Sequence, residues 1–482
     1  MSVKIDEAVL ERAVQLCRAK RVVLPTLAQM RDPARIPEKI RRGLAPIGLW
    51  DVNPVNLVRI SGKNDVASGG FGPVNTFEIP RALSGVDARI VGLVGRYFPT
   101  GAHKVGAAFG CLVPRLVTGG FDPATQKVVW PSTGNFCRGG AFDCALLGAT
   151  AVAILPQGMS RERFEWLSKV AGEVIATPGT ESNVKEIFDK CWELRRSGQD
   201  LMIFNQFEEF GNYLWHYTVT GSALAEVLQK ELKAGETLRG SVFTTGSAGT
   251  IASGDYLKEV FPYSKLGASE ALQCPTLLNN GFGSHRIEGI GDKHVPWIHN
   301  VKNTDMIVAV DDEAPIQLIR LFNEPEGKKY LAQMGVSEEL ITLLPLLGIS
   351  GIANVLSAIK MAKWYEWGEG DAVITVLTDS MELYGSRLRE LTAERGEYSA
   401  RDAAVSYHQY LMGQDVAYME ELTYPAKKRV HNLKYYTWVE QQGRTYEEIQ
   451  AQWYQPDYWT GVHGQADEID ALIEEFNAEV GL

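Results

Sequence analysis

Cysteine is scarce in this chain. Six occur in 482 residues, at positions 17, 111, 137, 144, 191 and 274, and no two form a Cys-x-x-Cys pair. That spacing argues against zinc and dithiol redox chemistry. Sparse usage in a long chain suits a reducing cytoplasm, so a cytoplasmic protein without a metal site is expected. Basic residues are also in deficit: 48 Lys and Arg stand against 59 Asp and Glu, a net charge of −11. Such a field excludes nucleic acid and anionic membrane as natural partners. The first six residues lack the apolar core of a signal peptide. The longest apolar run, 342–359, is interrupted by Pro345, Gly348, Gly351 and Asn354, too broken for a membrane span. There is no internal repeat and no low-complexity tract. The small-residue stretch 246–250 lacks the Gly-Lys-Ser/Thr ending of a Walker loop.

What is present is enough apolar material for more than one domain, 45% hydrophobic and 10% aromatic residues. Residues 7–20 keep helical spacing through Val9, Leu10, Ala13, Val14 and Cys17. From about 90 onward, short apolar strands alternate with amphipathic helices. The strands read at 128–130, 151–155, 201–204, 241–244, 306–310 and 372–377. Asn183, with Glu186 three positions on, is the expected cap of a helix, and Thr445 with Glu448 reads as a capping box. Continuous apolar strands between helices predict an α/β fold of two lobes, with mainly parallel sheets covered on both faces. The expected division is an N-terminal extension (1–50), a large lobe (51–94 and 208–395), a small lobe (95–207) and a helical, aromatic-rich extension (396–482).

The candidate chemistry sits at strand ends, where ligands gather in such folds. Lys104 lies behind a bend made by Pro99 and Gly101 and ahead of Gly106, Ala107 and Ala108. A lysine in so tight a place is desolvated, which lowers its pKa and makes the neutral amine a nucleophile toward carbonyls; taken alone it also suits a surface lysine opening a helix. Ser132 and Thr133 offer hydroxyls and N–H groups to a carboxylate, and the Asn135 amide suits a phenolate-like oxygen, although a capping role fits too. Gly246, Ser247, Ala248, Gly249 and Thr250 contain no cation, so an anion there is held by backbone N–H groups, a helix N-terminus and hydroxyls. Ser380 is the group expected to face a ring nitrogen, with Asp379 as its rival, because adjacent residues of a strand point to opposite sides. Together these features match the needs of pyridoxal phosphate.

With those residues assembled, the chain resembles the fold-type II pyridoxal phosphate enzymes, which include cysteine synthase, cystathionine beta-synthase and the tryptophan synthase beta subunit. Thr100-Gly-Ala-His-Lys104 is similar to the lysine motif of tryptophan synthase beta. Ser132-Thr-Gly-Asn135, Asn205-Gln206-Phe207, His285-Arg-Ile-Glu-Gly-Ile-Gly291, Gly348-Ile-Ser-Gly351 and Thr378-Asp-Ser380 look more like cysteine synthase, in the same order. The resemblance implies Lys104 as Schiff-base lysine and acid/base, Asn135 on the ring oxygen, residues 246–250 on the phosphate and Ser380 on the ring nitrogen. It further implies Ser132, Thr133 and Gln206 on the substrate carboxylate, Gly289 lining the substrate side, and a homodimer, with or without a further partner subunit.

The reaction so implied is β-replacement on an amino acid with a β leaving group, through an aminoacrylate. The alternative within the family is β-elimination, a lyase or deaminase releasing a 2-oxo acid and ammonia. An alternative of another class is a catalytically silent subunit that binds the cofactor and scaffolds a partner; the intact Lys104 speaks against it. The chain departs from the family pattern at Phe136-Cys137-Arg138. Phe136 is expected to narrow the pocket. Arg138 is the candidate for pairing with an anionic substrate tail, or else points away along its helix toward solvent or a glutamate.

Overall fold

The computed structural model describes residues 6–291 and 293–482. Two sheets carry the fold. The larger has seven strands in the order β1-β2-β10-β7-β8-β9-β11. These are β1 (Thr76–Ile79), β2 (Arg89–Val94), β7 (Thr237–Thr244), β8 (Lys265–Ala271), β9 (Met306–Val310), β10 (Asp371–Leu377) and β11 (Met419–Glu421). The five inner strands run parallel, and the two edge strands are antiparallel to their neighbours. The smaller sheet is parallel throughout, in the order β5-β4-β3-β6. Its strands are β3 (Lys127–Pro131), β4 (Thr150–Pro156), β5 (Glu173–Thr177) and β6 (Leu201–Ile203).

The inner strands are buried nearly end to end, as parallel strands covered on both faces must be. The Ile349–Trp364 helix lies on the large sheet and is buried over most of its length. Among the described residues no single helix is long and apolar enough to cross a membrane. The apolar run at 342–359 falls on two segments, Glu338–Leu346 and Ile349–Trp364, bent by 116°.

The Lys104–Leu116 helix connects the two sheets. It packs on the Asn135–Leu147 helix and on Phe210–Trp215. Backbones nearly touch there: a Cβ added to Gly211 would lie 2.2 Å from the Gly110 carbonyl oxygen. Only glycine at both crossing points permits that approach.

Leu27 and the Gln465–Val480 helix, one from each extension, lie on the back of this helix. Asn477 bonds the backbone of Leu24 in both directions, and Asp470 accepts from the Leu27 and Ala28 N–H groups. The C-terminal stretch also contributes β11, an edge strand that an aromatic, helix-like composition did not announce. Asn183 stands at the start of the Val184–Arg196 helix but does not cap it. Its amide accepts from Thr180 N–H and donates to Glu186 instead. The capping box at Thr445 and Glu448 is present.

Candidate active site

The carboxyl ends of β3, β7 and β10 converge with the first turn of the Lys104–Leu116 helix around a recess. Lys104 lines it. Its Nζ donates to Ser247 Oγ at 2.8 Å and to Asn212 Oδ1 at 3.3 Å. Among the described residues no carboxylate pairs with it, and burial lowers its pKa from 10.5 to about 7. Asn212 is held in turn, donating to the Gln206 carbonyl at 2.9 Å and to Ser247 Oγ at 2.9 Å.

Facing Lys104 is the loop 246–250, which leads from β7 into the Ile251–Val260 helix. Ala248 has φ +61°, in the left-handed region, so the loop curls and presents successive N–H groups to one side. A Cβ on Gly249 would lie 2.1 Å from Asn212 Oδ1. Thr250 Oγ1 is 3.1 Å from His103 Nε2, while His103 Nδ1 is 3.4 Å from the Thr378 carbonyl. The carbonyl needs a donor, so Nδ1 carries the proton and Nε2 accepts from the threonine hydroxyl. Burial, and then the neighbouring Lys104, hold His103 down to about 3. The ring is therefore neutral.

The remaining walls are made by Ser132, Thr133, Asn135 and Phe136 from the loop after β3, by Gln206, and by Gly289. Thus Lys104, Ser132, Thr133, Asn135, Gln206, residues 246–250 and Gly289 are brought together at one recess. Two sequence expectations are corrected. Ser380 does not line the recess; its hydroxyl is buried without a hydrogen-bond partner at the start of a 3₁₀ turn. Thr378 lines the recess in its place, and its hydroxyl bonds that of Ser350. The chain bends at Asp379 after β10, which breaks the simple alternation of faces. Arg138 neither lines the recess nor reaches solvent. Its guanidinium stacks 4.8 Å over Trp166, with Nε and Nη1 unpaired. Burial lowers its pKa to about 10, with Arg163 adding to the effect and Asp379 opposing it.

Sequence reading missed Asn212, His103 and Ser350. Asn212 carries no motif of its own, and His103 sits inside Thr100-Gly-Ala-His-Lys104 without a role assigned to it. Ser350 was in view inside Gly348-Ile-Ser-Gly351 but was given no role. It also missed a buried polar cluster below the loop after β3. Arg163 pairs there with Glu288, which also binds Arg387. Asp379 belongs to the same cluster. Burial pushes its carboxyl up, and Arg163 leads the opposing pull. Glu181 lies fully buried beside Thr133 and Gly289, and burial raises its pKa well above the usual carboxylate range.

A family model for pyridoxal-phosphate dependent enzymes matches residues 72–328. The chain is 29% identical to a probable cysteine synthase of Bacillus subtilis over 230 residues, covering 48% of this chain and 72% of that one. It is 30% identical to a cysteine synthase of Staphylococcus aureus over 203 residues, 42% of this chain and 63% of that one. Among solved structures it is similar in fold to a hydrogen sulfide-producing enzyme from Fusobacterium nucleatum. There the TM-score is 0.55 and the identity 22%, over 64% of this chain and 96% of that one.

Proposed function

The chain belongs to the family of pyridoxal-phosphate-dependent enzymes, and from that premise we propose that it catalyses β-replacement on an amino acid carrying a leaving group at its β-carbon. The observation that carries this reading is the placement of Lys104. It is a buried amine, 2.8 Å from a hydroxyl of a cation-free, small-residue loop. Those residues suit the cofactor. The amine is poised to join an aldehyde. The loop 246–250 and the helix start behind it suit a phosphate. Asn135 Nδ2 donates one N–H to Asp379 Oδ2, and the second belongs to a side chain that lines the recess, where it suits an acceptor oxygen.

In this reading Lys104 anchors the cofactor, and residues 246–250 hold its phosphate, with Thr250 set by His103. Asn135 meets its ring oxygen. The hydroxyl pair of Thr378 and Ser350 takes the ring-nitrogen side first read into Ser380. Bound there, pyridoxal phosphate supplies the electron sink that acidifies a substrate α-proton and lets a β substituent depart. Lys104 Nζ takes and returns that proton. Ser132, Thr133 and Gln206 bind the substrate carboxylate, Gly289 leaves room beside it, and Phe136 excludes water and bulk from the wall behind. The small lobe, 95–207, supplies the substrate side; 51–94 with 208–395 supplies the cofactor side. The working assembly is a homodimer.

The reading is tested by incubating the protein, loaded with pyridoxal phosphate, with O-acylated serines, with and without a thiol. The expected products are a thioether amino acid and the released carboxylate, formed only when the thiol is present. Release of 2-oxo acid and ammonia at the same rate in both cases would instead assign β-elimination.

A further inference from the structure

Asn135 does not stand alone at the wall of the recess. Its Nδ2 donates to Asp379 Oδ2 at 2.7 Å. The Tyr384 hydroxyl donates to the same oxygen at 2.8 Å, and Arg163 Nη2 donates to that hydroxyl at 2.8 Å. Arg163 Nη2 also lies 3.5 Å from Asp379 Oδ2. Arg163, Tyr384 and Asp379 have no exposed surface. Further back, Arg163 Nη1 donates to Ser160 Oγ at 2.8 Å and pairs with Glu288. A Cβ on Gly134 would lie 2.4 Å from Arg163 Nε, so the guanidinium supports the backbone of the turn that presents Asn135.

This arrangement has a direction. Arginine can only donate, the tyrosine hydroxyl both accepts and donates, and an ionised carboxylate can only accept. The chain Arg163 to Tyr384 to Asp379 therefore leaves Asp379 as an acceptor, which fixes which end of the Asn135 amide faces it. One N–H of that amide is used. The second N–H belongs to a side chain that lines the recess.

We propose that Arg163, Tyr384 and Asp379 form a buried relay that locks the Asn135 amide, so that its free N–H is presented to the ring oxygen of bound pyridoxal phosphate. The three are positioning residues; they act on the cofactor through Asn135 alone. The inference rests on the reading of the recess as the cofactor site. In a dry setting such a chain of hydrogen bonds polarises each member, and loss of one link is felt at its end. Cutting the relay therefore changes the electron distribution at the ring oxygen without touching Lys104 or the loop 246–250.

The test is spectroscopic. The visible band of the bound cofactor and its pH midpoint are recorded for wild type, Asn135→Ala, Asp379→Asn, Tyr384→Phe and the double variant Asn135→Ala/Asp379→Asn. Asp379→Asn and Tyr384→Phe should shift band and midpoint in the same direction as Asn135→Ala, the midpoint by about one pH unit, the size of one lost hydrogen bond. The double variant should match Asn135→Ala, because nothing remains for Asp379 to position. If Asn135→Ala shifts the band while Asp379→Asn and Tyr384→Phe leave it at the wild-type position, the relay is overturned and the site reading stands. If Asn135→Ala has no effect, the site reading falls and the relay with it. Tyr384→Phe removes one oxygen atom and serves if Asp379→Asn does not fold.

Discussion

The ε-amine of Lys104 titrates in the range where proteins are handled, because burial lowers its pKa from 10.5 to about 7. Only the neutral amine attacks an aldehyde. Loading of cofactor-free protein with pyridoxal phosphate should therefore accelerate as pH rises, with a midpoint near 7 in stopped-flow absorbance. A midpoint near that of free lysine would contradict the buried environment. The same shift bears on stability. Between about 7 and 10.5 the unfolded chain binds the proton and the folded chain does not, so cofactor-free protein gains stability as pH rises through that window. The burial cost is present in full below it, and Lys104→Met should remove this dependence in denaturant titrations. At this scale much of the candidate site was legible. Lys104, the 246–250 loop and the Ser132-Thr-Gly-Asn135 turn are local patterns whose geometry follows from their own residues. Ser380 and Arg138 were not, because their surroundings depend on how the chain turns after β10 and on which side chains of distant segments fill the space beneath the recess.

Between elements, glycine sets the distances. The Lys104–Leu116 and Phe210–Trp215 helices meet at Gly110 and Gly211, where an added Cβ would fall 2.6 and 2.2 Å from backbone oxygen atoms. Gly211→Ala should destabilise by roughly 1–3 kcal/mol, the usual cost of overpacking. The readout is a lower denaturant midpoint at unchanged slope. It should also weaken cofactor retention, since Asn212 is the next residue and bonds Lys104. The parallel core was visible in sequence because β4, β9 and β10 are nearly continuous apolar runs. Others lacked that signal. β8 reads Lys-Leu-Gly-Ala-Ser-Glu-Ala, with small residues that admit close helix packing, and Gly267 would meet Met361 Sδ at 2.5 Å if it carried a Cβ. β5 is half-exposed at an edge, and β1 and β11 are short antiparallel edges, so burial imposed no apolar run on them.

Across the whole molecule, the two extensions act as one brace behind the Lys104 helix. Arg18 binds the Val480 and Glu479 carbonyls, and Asp470 accepts from the first two N–H groups of the Leu27–Arg31 helix, a cap supplied from residues more than 440 positions away. Asp470→Ala should cost about 1 kcal/mol, the usual worth of a lost cap, seen as a lower thermal midpoint. A second brace lies at Lys434, buried and donating to the Trp297 and His299 carbonyls and to Gln452 Oε1. Lys434→Met leaves Gln452 Oε1 without its donor, while the Trp297 carbonyl keeps Gln452 Nε2 and the His299 carbonyl keeps the Val301 N–H. It should cost roughly 1–3 kcal/mol and loosen the segment 297–299, which limited proteolysis would report. Composition left open whether the aromatic tail packs on the body or on another chain. It did not show where, because that depends on surfaces several hundred residues apart in the chain.

The central claim is that Lys104 holds pyridoxal phosphate covalently. Borohydride reduction of the loaded protein, followed by digestion and peptide mass mapping, measures it directly. The account predicts a phosphopyridoxyl group on the peptide containing Lys104 and on no other. Attachment at a different lysine, or no stable adduct in protein that retains its fold, would contradict it.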